Sequence, residues 1–313
     1  MELSKIGELG LIERVKDQAC GERSRAGARG KGQGVLAGIG DDAAVLRLSK
    51  GKLLVAAADT LVEKIHFDLS YYSYFDLGWK SLAVNLSDIA AMGADPKWAL
   101  VSIGLPKRTK VKNIIRFYKG MKALGGKYGV SIVGGDTVSS PNRLYVSITL
   151  LGEVLRKRMV LRKGAKEGDL ILATGSLGGA FPGRNIKHLR PEPRVREGRI
   201  IANGGATSMI DSSDGLSRSL AELCKASGKG GLLFEGLIPR AKKASLKEAL
   251  HGGEDYELVF TCPKRRAGAI IRKLAGLSKA SVIGRITNNR GRLVLSCADG
   301  KEKELEIRSF KHF

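Results

Sequence analysis

The chain carries 54 Lys+Arg against 31 Asp+Glu, a formal charge of +23, yet it places scarce aspartates at glycine turns and strand ends. Asp41 and Asp42 stand side by side in GIGDDAAV (38–45). Asp59 closes the apolar run KLLVAAADT (52–60), and Asp136 follows Gly134-Gly135 in VSIVGGDT (130–137). Asp211 ends SMID (208–211) and is followed by Ser212, Ser213, Asp214 and Gly215. Strand ends that give way to turns are where open sheets present side chains to ligands. Any one of these residues could be a cap or turn aspartate. Their repetition argues for more, because two carboxylates ~4 Å apart repel by about 4 kcal/mol at an effective dielectric of 20. Hard oxygen donors without a His or Cys cluster point to Mg²⁺. Each Mg²⁺ takes one or two carboxylates and completes its shell with water and phosphate oxygens, so this many acids imply several ions and a polyphosphate substrate. No G-x-x-x-x-G-K-[ST], H-E-x-x-H or G-x-S-x-G occurs, which leaves a carboxylate–magnesium clamp rather than P-loop, zinc-protease or serine-hydrolase chemistry.

These residues need elements to hold them. Strands are expected over 52–60, 130–137 and 143–154, with helical patterns over 76–92 and 110–127 between them. The first helix is terminated by Gly93 and Pro96. It has an apolar stripe of Leu82, Leu86 and Ile89 beside a narrow polar one of Ser81, Asn85 and Asp88. Asp88 on so apolar a helix needs a cation or a full set of hydrogen bonds. The glycine-punctuated LRKGAKEGDLILATG (161–175) opens a second half, so a boundary is expected near residue 155, giving domains 1–155 and 156–313. Strand 208–211, helix 215–227, strand GLLFEG, helix 242–250, strand 256–261, helix KRRAGAIIRKLAGL and strand ASVIGRIT follow. Both halves therefore read as α/β or mixed α+β. Asp169 reads as a turn residue only.

At 313 residues, with 43% hydrophobic content and mean hydropathy −0.09, the chain suits about two packed domains. No apolar run approaches the ~18 residues of a membrane span, and MELSKIGELGLIERV resembles neither a signal nor a transit peptide. Cys20, Cys224, Cys262 and Cys297 are scattered and read as reduced thiols of a cytoplasmic protein. The basic segment GERSRAGARGKGQG (21–34) reads as a loop, either a solvated surface or a flap over phosphates. Nucleic-acid binding is not favoured: aromatics are 5% and no base-reading element is present.

GIGDDAAV, AADTLVEKIHF, LAVNLSDIAAMGADP, VGGDTVSS, IDSSDGLSRSL, HGGEDYELVF and IGRIT occur in that order over nearly the whole chain. Together they resemble the thiamine-monophosphate kinase family, within the superfamily that includes aminoimidazole ribonucleotide synthetase. The resemblance implies a two-domain aminoimidazole ribonucleotide synthetase-like fold with ATP between the domains, and a homodimer whose interface is the N-terminal domain. It implies Mg²⁺-dependent phosphorylation of thiamine monophosphate by ATP, giving thiamine diphosphate. Matched motif by motif, Asp42, Asp59, Asp88, Asp136, Asp211 and Asp214 fall on metal-coordinating positions. Gly135, Asp136, Arg162 and Ser213 fall on ATP-contacting positions; His66, Glu254 and Phe310 fall on positions that contact the thiamine phosphate. Ala57 and Ala58 depart from the Ser and Thr of similar proteins and leave only backbone carbonyls. The segment SLGGAFPGRNIKHLRPEP leaves less room for the helix usual there.

A phosphate monoester is largely ionised near pH 7, with a second pKa of ~6, so no side chain is assigned as a general base. Direct in-line transfer asks for positioning and charge neutralisation. Arg162 offers a planar fork for phosphate oxygens, although a solvated turn arginine beside Lys163 fits the same residues. His66 also reads as a strand-end surface imidazole. Glu254 follows Gly252-Gly253, where backbone can approach a ligand closely, and could accept hydrogen bonds from an aminopyrimidine. Two alternatives stand: another ATP-using enzyme of the superfamily, such as a purine-pathway synthetase, and a basic nucleic-acid-binding protein.

Overall fold

The computed structural model describes residues 35–37, 45–46, 52–180 and 185–308. Asp42, Phe310, Cys20 and the loop 21–34 lie outside the described residues. The chain divides into two compact units, the first running to Ile89 and over Pro96–Glu153, the second comprising Ala90–Asp95 and the chain from Val154 onward.

In the first unit a short antiparallel pair, β1 (Val35–Ala37) and β2 (Val45–Leu46), precedes a four-stranded sheet. Its strands are β3 (Lys52–Val62), β4 (Asp95–Leu105), β5 (Ser131–Ser139) and β6 (Tyr145–Leu155), in the order β3-β6-β4-β5. Alternate residues Val146, Ile148 and Leu150 of β6 are buried, as are Val101 and Ile103 of β4. The strand Asp95–Leu105 was not among the expected elements. Most of it is buried in an almost unbroken apolar run, so it lacks the period-2 signature of a half-exposed strand.

Helices α1 (Tyr74–Ala91) and α2 (Val111–Tyr128) belong with this sheet. In α2, Ile114, Phe117, Met121 and Leu124 recur at helical spacing and are completely buried. Gly129 ends the helix in the left-handed region at φ 71°, its N–H donating to the Gly125 carbonyl. The two helices meet through glycines. A Cβ on Gly78 would lie 1.9 Å from the Phe117 oxygen, and one on Gly120 would lie 2.0 Å from the Phe75 oxygen. Backbone therefore rests on backbone at this crossing, closer than any side chain allows.

The second unit is built on a seven-stranded sheet ordered β13-β12-β9-β11-β7-β10-β8. Its strands are β7 (Leu170–Thr174), β8 (Ser208–Asp211), β9 (Gly230–Phe234), β10 (Leu258–Cys262), β11 (Ala280–Thr287), β12 (Leu293–Ser296) and β13 (Glu302–Glu304). Neighbours are antiparallel except the parallel pair β12 and β9. The unit also carries α3 (Ile186–Leu189), α4 (Val195–Asn203), α5 (Leu216–Ser227), α6 (Leu246–His251) and α7 (Lys264–Leu274). Leu216, Leu220 and Leu223 of α5 form one apolar stripe that joins Ile171, Leu233 and Val259 in the core. The expected helix over 242–250 starts only at Leu246, because Ser245 is its N-cap. The Ser245 Oγ accepts from the Glu248 N–H at 3.2 Å, and the Glu248 carboxylate accepts from the Ser245 N–H at 2.7 Å. The strand expected over 256–261 starts at Leu258, because Glu254 and Tyr256 hold positive φ angles of 66° and 50°.

Candidate active site

In the first unit the acids are set by β3, α1 and β5. The Asp59 N–H donates to Asn85 Oδ1 at 3.1 Å, and Asn85 Nδ2 donates to the Ser81 carbonyl at 3.1 Å. Ser81 Oγ in turn donates to the Leu77 carbonyl at 2.7 Å. The polar stripe of α1 is thus a bracket: Asn85, fully buried, fixes β3 at Asp59, which lies inside the strand rather than at its expected end because β3 continues to Val62, and Asp88 lies one turn further along the same face. Asp136 is exposed on β5, opposite Ser102 of β4. Gly135 precedes it at φ 150°, where a Cβ would fall 1.8 Å from the Val101 oxygen, so β4 admits only glycine there. Asp59 and Asp136 stand on the two edge strands, separated by β6 and β4, so the strands that carry them are about 14 Å apart across the sheet at ordinary strand spacing.

His66 follows β3. Its Nδ1 accepts the Val62 N–H at 2.9 Å, so the neutral ring carries its proton on Nε2. Lys80 of α1, completely buried, donates to Tyr72 Oη at 3.0 Å and reaches the His66 carbonyl at 3.4 Å. The turn bearing His66 is therefore tied to α1 from beneath.

In the second unit, residues 211–214 and 252–257 interlock through their backbones. The Glu254 N–H donates to the Ser213 carbonyl at 2.6 Å, the Tyr256 N–H to the Ser212 carbonyl at 3.0 Å, and the Ser212 N–H to the Glu257 carbonyl at 2.8 Å. This brings Ser213 and Glu254 together. Asp211 is buried, paired with Leu258 in the sheet, whereas Asp214 is exposed at the start of α5. Arg162 is exposed, and its carbonyl accepts from Ser227 Oγ at 3.3 Å.

Beneath the interlock lies an ion network not anticipated from the sequence. Asp255 accepts the N–H groups of Gly178, Gly179 and Ala180 at 2.5, 2.9 and 3.1 Å, with Lys187 Nζ at 3.0 Å. Glu257 accepts from Arg194 Nε and Nη2, each at 2.7 Å, and from Thr174 Oγ1 at 2.8 Å, with Lys187 Nζ at 3.5 Å. Burial pushes the Glu257 carboxyl up, but the hydrogen bonds and charge of Arg194, helped by Lys187 and Thr174, more than offset it and hold the pKa below the ordinary value. Burial likewise opposes the charge on Arg194, and Glu257 with Glu197 outweighs it. One signal was available: Asp255 and Glu257 immediately precede the apolar run Leu258–Phe260, and acids led into a buried strand must find cations or donors there.

All the candidate ligands are hard carboxylate oxygens, a donor set that fits Mg²⁺. Asp136 and Asp214 are exposed and pair with no described residue. Among the described residues no three His, Cys, Asp or Glu side chains gather into a metal cluster. Asp42 is not among them.

Residues 40–154 match the model of the AIR synthase related protein, N-terminal domain, and residues 166–296 match its C-terminal domain. The thiamine-monophosphate kinase of Bacillus subtilis is 34% identical over 302 residues, covering 88% of this chain and 93% of its own. The chain belongs to the thiamine-monophosphate kinase family. A thiamine-monophosphate kinase of Stenotrophomonas maltophilia aligns with a TM-score of 0.79 and 31% identity over 93% of this chain and 96% of that one. AaThiL complexed with AMPPCP and TMP aligns with a TM-score of 0.74 and 29% identity over 100% and 99% of the two chains. As a thiamine-monophosphate kinase relative, the chain has the two-domain mixed α/β fold of the AIR synthase related proteins.

Proposed function

We propose that the chain transfers the γ-phosphoryl group of ATP to thiamine monophosphate, giving thiamine diphosphate and ADP. The observation that carries this reading is the full-length likeness to thiamine-monophosphate kinases, including one structure holding an ATP analogue together with TMP. Asp42, Asp59, Asp88, Asp136, Asp211 and Asp214 would hold Mg²⁺. The ions would supply charge neutralisation along the polyphosphate. Asn85, by binding the Asp59 backbone, pre-orients one of these acids before any ligand arrives. Ser213, Gly135 and Arg162 are assigned to ATP, and His66, Glu254 and Phe310 to the thiamine phosphate. His66 would offer Nε2–H as a donor to phosphate, because its Nδ1 is already engaged. The acceptor oxygen belongs to an ionised phosphate, so no side chain need remove a proton.

A homodimer is part of the proposal. One face of the four-stranded sheet is buried, while the other presents Leu54, Ala56, Ala58 and Thr60 of β3 beside Ser147 of β6 and Ser102 of β4. Leu54 is 48% exposed. A stretch of mostly small, uncharged side chains, bordered by Asp136 opposite Ser102, on a chain of charge +23 suits a second copy of the same surface.

Incubation of the purified chain with ATP, Mg²⁺ and thiamine monophosphate should yield thiamine diphosphate by chromatography, with purine intermediates left unphosphorylated. Asp136→Asn should abolish turnover and leave the melting temperature unchanged, because the side chain is exposed. A folded protein that makes no thiamine diphosphate across a range of temperature and Mg²⁺ concentration would overturn the assignment.

A further inference from the structure

The first turn of α5, the last residue of α6 and the segment after β13 meet at one hydroxyl. Ser217 Oγ lies 3.0 Å from His251 Nδ1 and donates to the Arg308 carbonyl at 3.4 Å. Ser217 is completely buried and His251 partly so. Backbone closes the same junction: Gly215 holds φ at 94°, and a Cβ there would fall 3.0 Å from the His251 carbonyl carbon. Burial and then the charge of Arg308 hold the His251 pKa below the ordinary value, with Glu306 opposing and Lys247 assisting. The ring is therefore neutral near pH 7 and has one N–H to give. A hydroxyl has one proton and a carbonyl only accepts. The arrangement that satisfies all three groups runs from His251 Nδ1–H to Ser217 Oγ, and from the Ser217 O–H to Arg308.

We propose that Ser217 and His251 are positioning residues, which together hold the Arg308 carbonyl and so fix the point from which the chain runs on to Phe310. The inference rests on the assignment of Phe310 to the thiamine phosphate. Leu305 is buried in the core, and its N–H donates to the Leu293 carbonyl at 2.9 Å. Glu306, Ile307 and Arg308 then emerge as exposed residues. Among the described residues, the one hydrogen bond that ties these three to the rest of the unit is that from Ser217. The bond from Arg308 Nε to Glu306 Oε1, at 2.6 Å, stays within the segment. Phe310 follows Arg308 by two residues, so it lies within about 7 Å of the anchored residue. On the other side, His251 leads through Gly252 and Gly253 into Glu254, the second residue assigned to the same substrate. One buried serine thus gathers the two stretches of chain that carry both contacts, although 56 residues separate Glu254 from Phe310 in sequence (310 − 254).

The test pairs tryptic cleavage of the native full chain with steady-state kinetics. Trypsin cuts after Arg308, at the carbonyl that Ser217 holds. Cleavage there, followed by intact mass, should run about fivefold faster in Ser217→Ala than in the parent, the factor that one lost hydrogen bond supplies. Ser217→Ala should also raise the KM for thiamine monophosphate about fivefold, while kcat and the KM for ATP stay within about twofold. His251→Leu should follow Ser217→Ala in both readouts. His251→Asn, which places an amide nitrogen where Nδ1 lies, should stay within about twofold of the parent. Phe310→Ala should raise the same KM about tenfold. The double variant Ser217→Ala/Phe310→Ala should be no worse than Phe310→Ala, because Ser217 acts through that ring. A silent Ser217→Ala beside an impaired Phe310→Ala overturns the inference and leaves the assignment of Phe310 intact. A silent Phe310→Ala in an active enzyme removes the assignment and the inference together. Losses that add in the double variant, or that fall on kcat and both KM values alike, would make the serine merely structural and also overturn it.

Discussion

Replacing Arg194 by methionine keeps most of the side-chain volume and removes the fork that neutralises Glu257. The carboxylate left behind is 1% exposed and loses two hydrogen bonds of 2.7 Å. Breaking one partner out of a buried ion pair costs about 3–5 kcal/mol. Here Thr174 Oγ1 still donates at 2.8 Å and Lys187 Nζ still lies at 3.5 Å, so the expected loss is near the lower end, about 3 kcal/mol. For a unit of this size that corresponds to a fall of about 6–12 °C in melting temperature. The pH dependence carries the sharper signature. In the parent the Glu257 pKa is lowered, so its contribution is fully present above the ordinary carboxylate pKa and is lost as pH falls through the lowered one. Without Arg194, burial dominates and raises that pKa above its unfolded value. The variant then gains stability on acidification toward pH 4.5 by taking up a proton in the folded state. The gap between parent and variant should be widest near pH 7 and narrow toward pH 4.5. Circular dichroism melts at both pH values measure it, with Arg194→Met/Glu257→Met recovering at least half the loss. A penalty under about 1 kcal/mol, or one of equal size at both pH values, would refute the argument.

Gly120→Ala should destabilise the first unit by about 1–3 kcal/mol in urea melts despite alanine's better helix propensity, since its Cβ meets the Phe75 oxygen at 2.0 Å. Gly126→Ala, in the same helix with nothing within 4 Å, should stabilise by up to about 1 kcal/mol. If both substitutions act with the same sign, the glycine crossing is not what sets the α1–α2 distance. Sedimentation equilibrium should give twice the 33.5 kDa chain mass, and Leu54→Asp should shift it to the monomer; a monomeric parent would remove the proposed dimer.

Periodicity made most of the framework legible. The stripes of α1, α2 and α5 and the alternation of β6 follow directly from the spacing of apolar residues, and β3 from its apolar run. What escaped was segments whose pattern is set by something other than one buried face. Strand β4 carries the apolar run Trp98–Val101, and the bulge at Ala99–Leu100 breaks its alternation, so no single period shows in the sequence. Helix α4 sits in a stretch dense in Arg and Glu, where Arg194 and Glu197 serve the ion network rather than a solvated surface. The turn 252–257 breaks the strand rule because Glu254 and Tyr256 adopt positive φ, a choice only their hydrogen bonds to Ser213 and Ser212 explain.

Acids beside glycines turn out to be of two physical kinds, and neighbouring residues do not tell them apart. Asp169 was read as a turn residue, and its carboxylate accepts from the Lys166 N–H at 2.9 Å and Thr207 Oγ1 at 2.6 Å, which accounts for it. Asp255 lies in a motif that reads as a ligand-binding loop, yet it is consumed by three backbone N–H groups and a lysine. Asp136, inside β5, and Asp214, in the turn before α5, look no different in sequence, but they face outward and meet no described cation. In a chain with 54 basic side chains and 31 acidic ones, a carboxylate finds a cation unless the fold keeps one away. Leaving it unneutralised costs little while it is hydrated and preserves its charge for a ligand that brings its own. The residues worth mutating for activity are therefore the acids the protein declines to pair, and those worth mutating for stability are the acids it pairs completely.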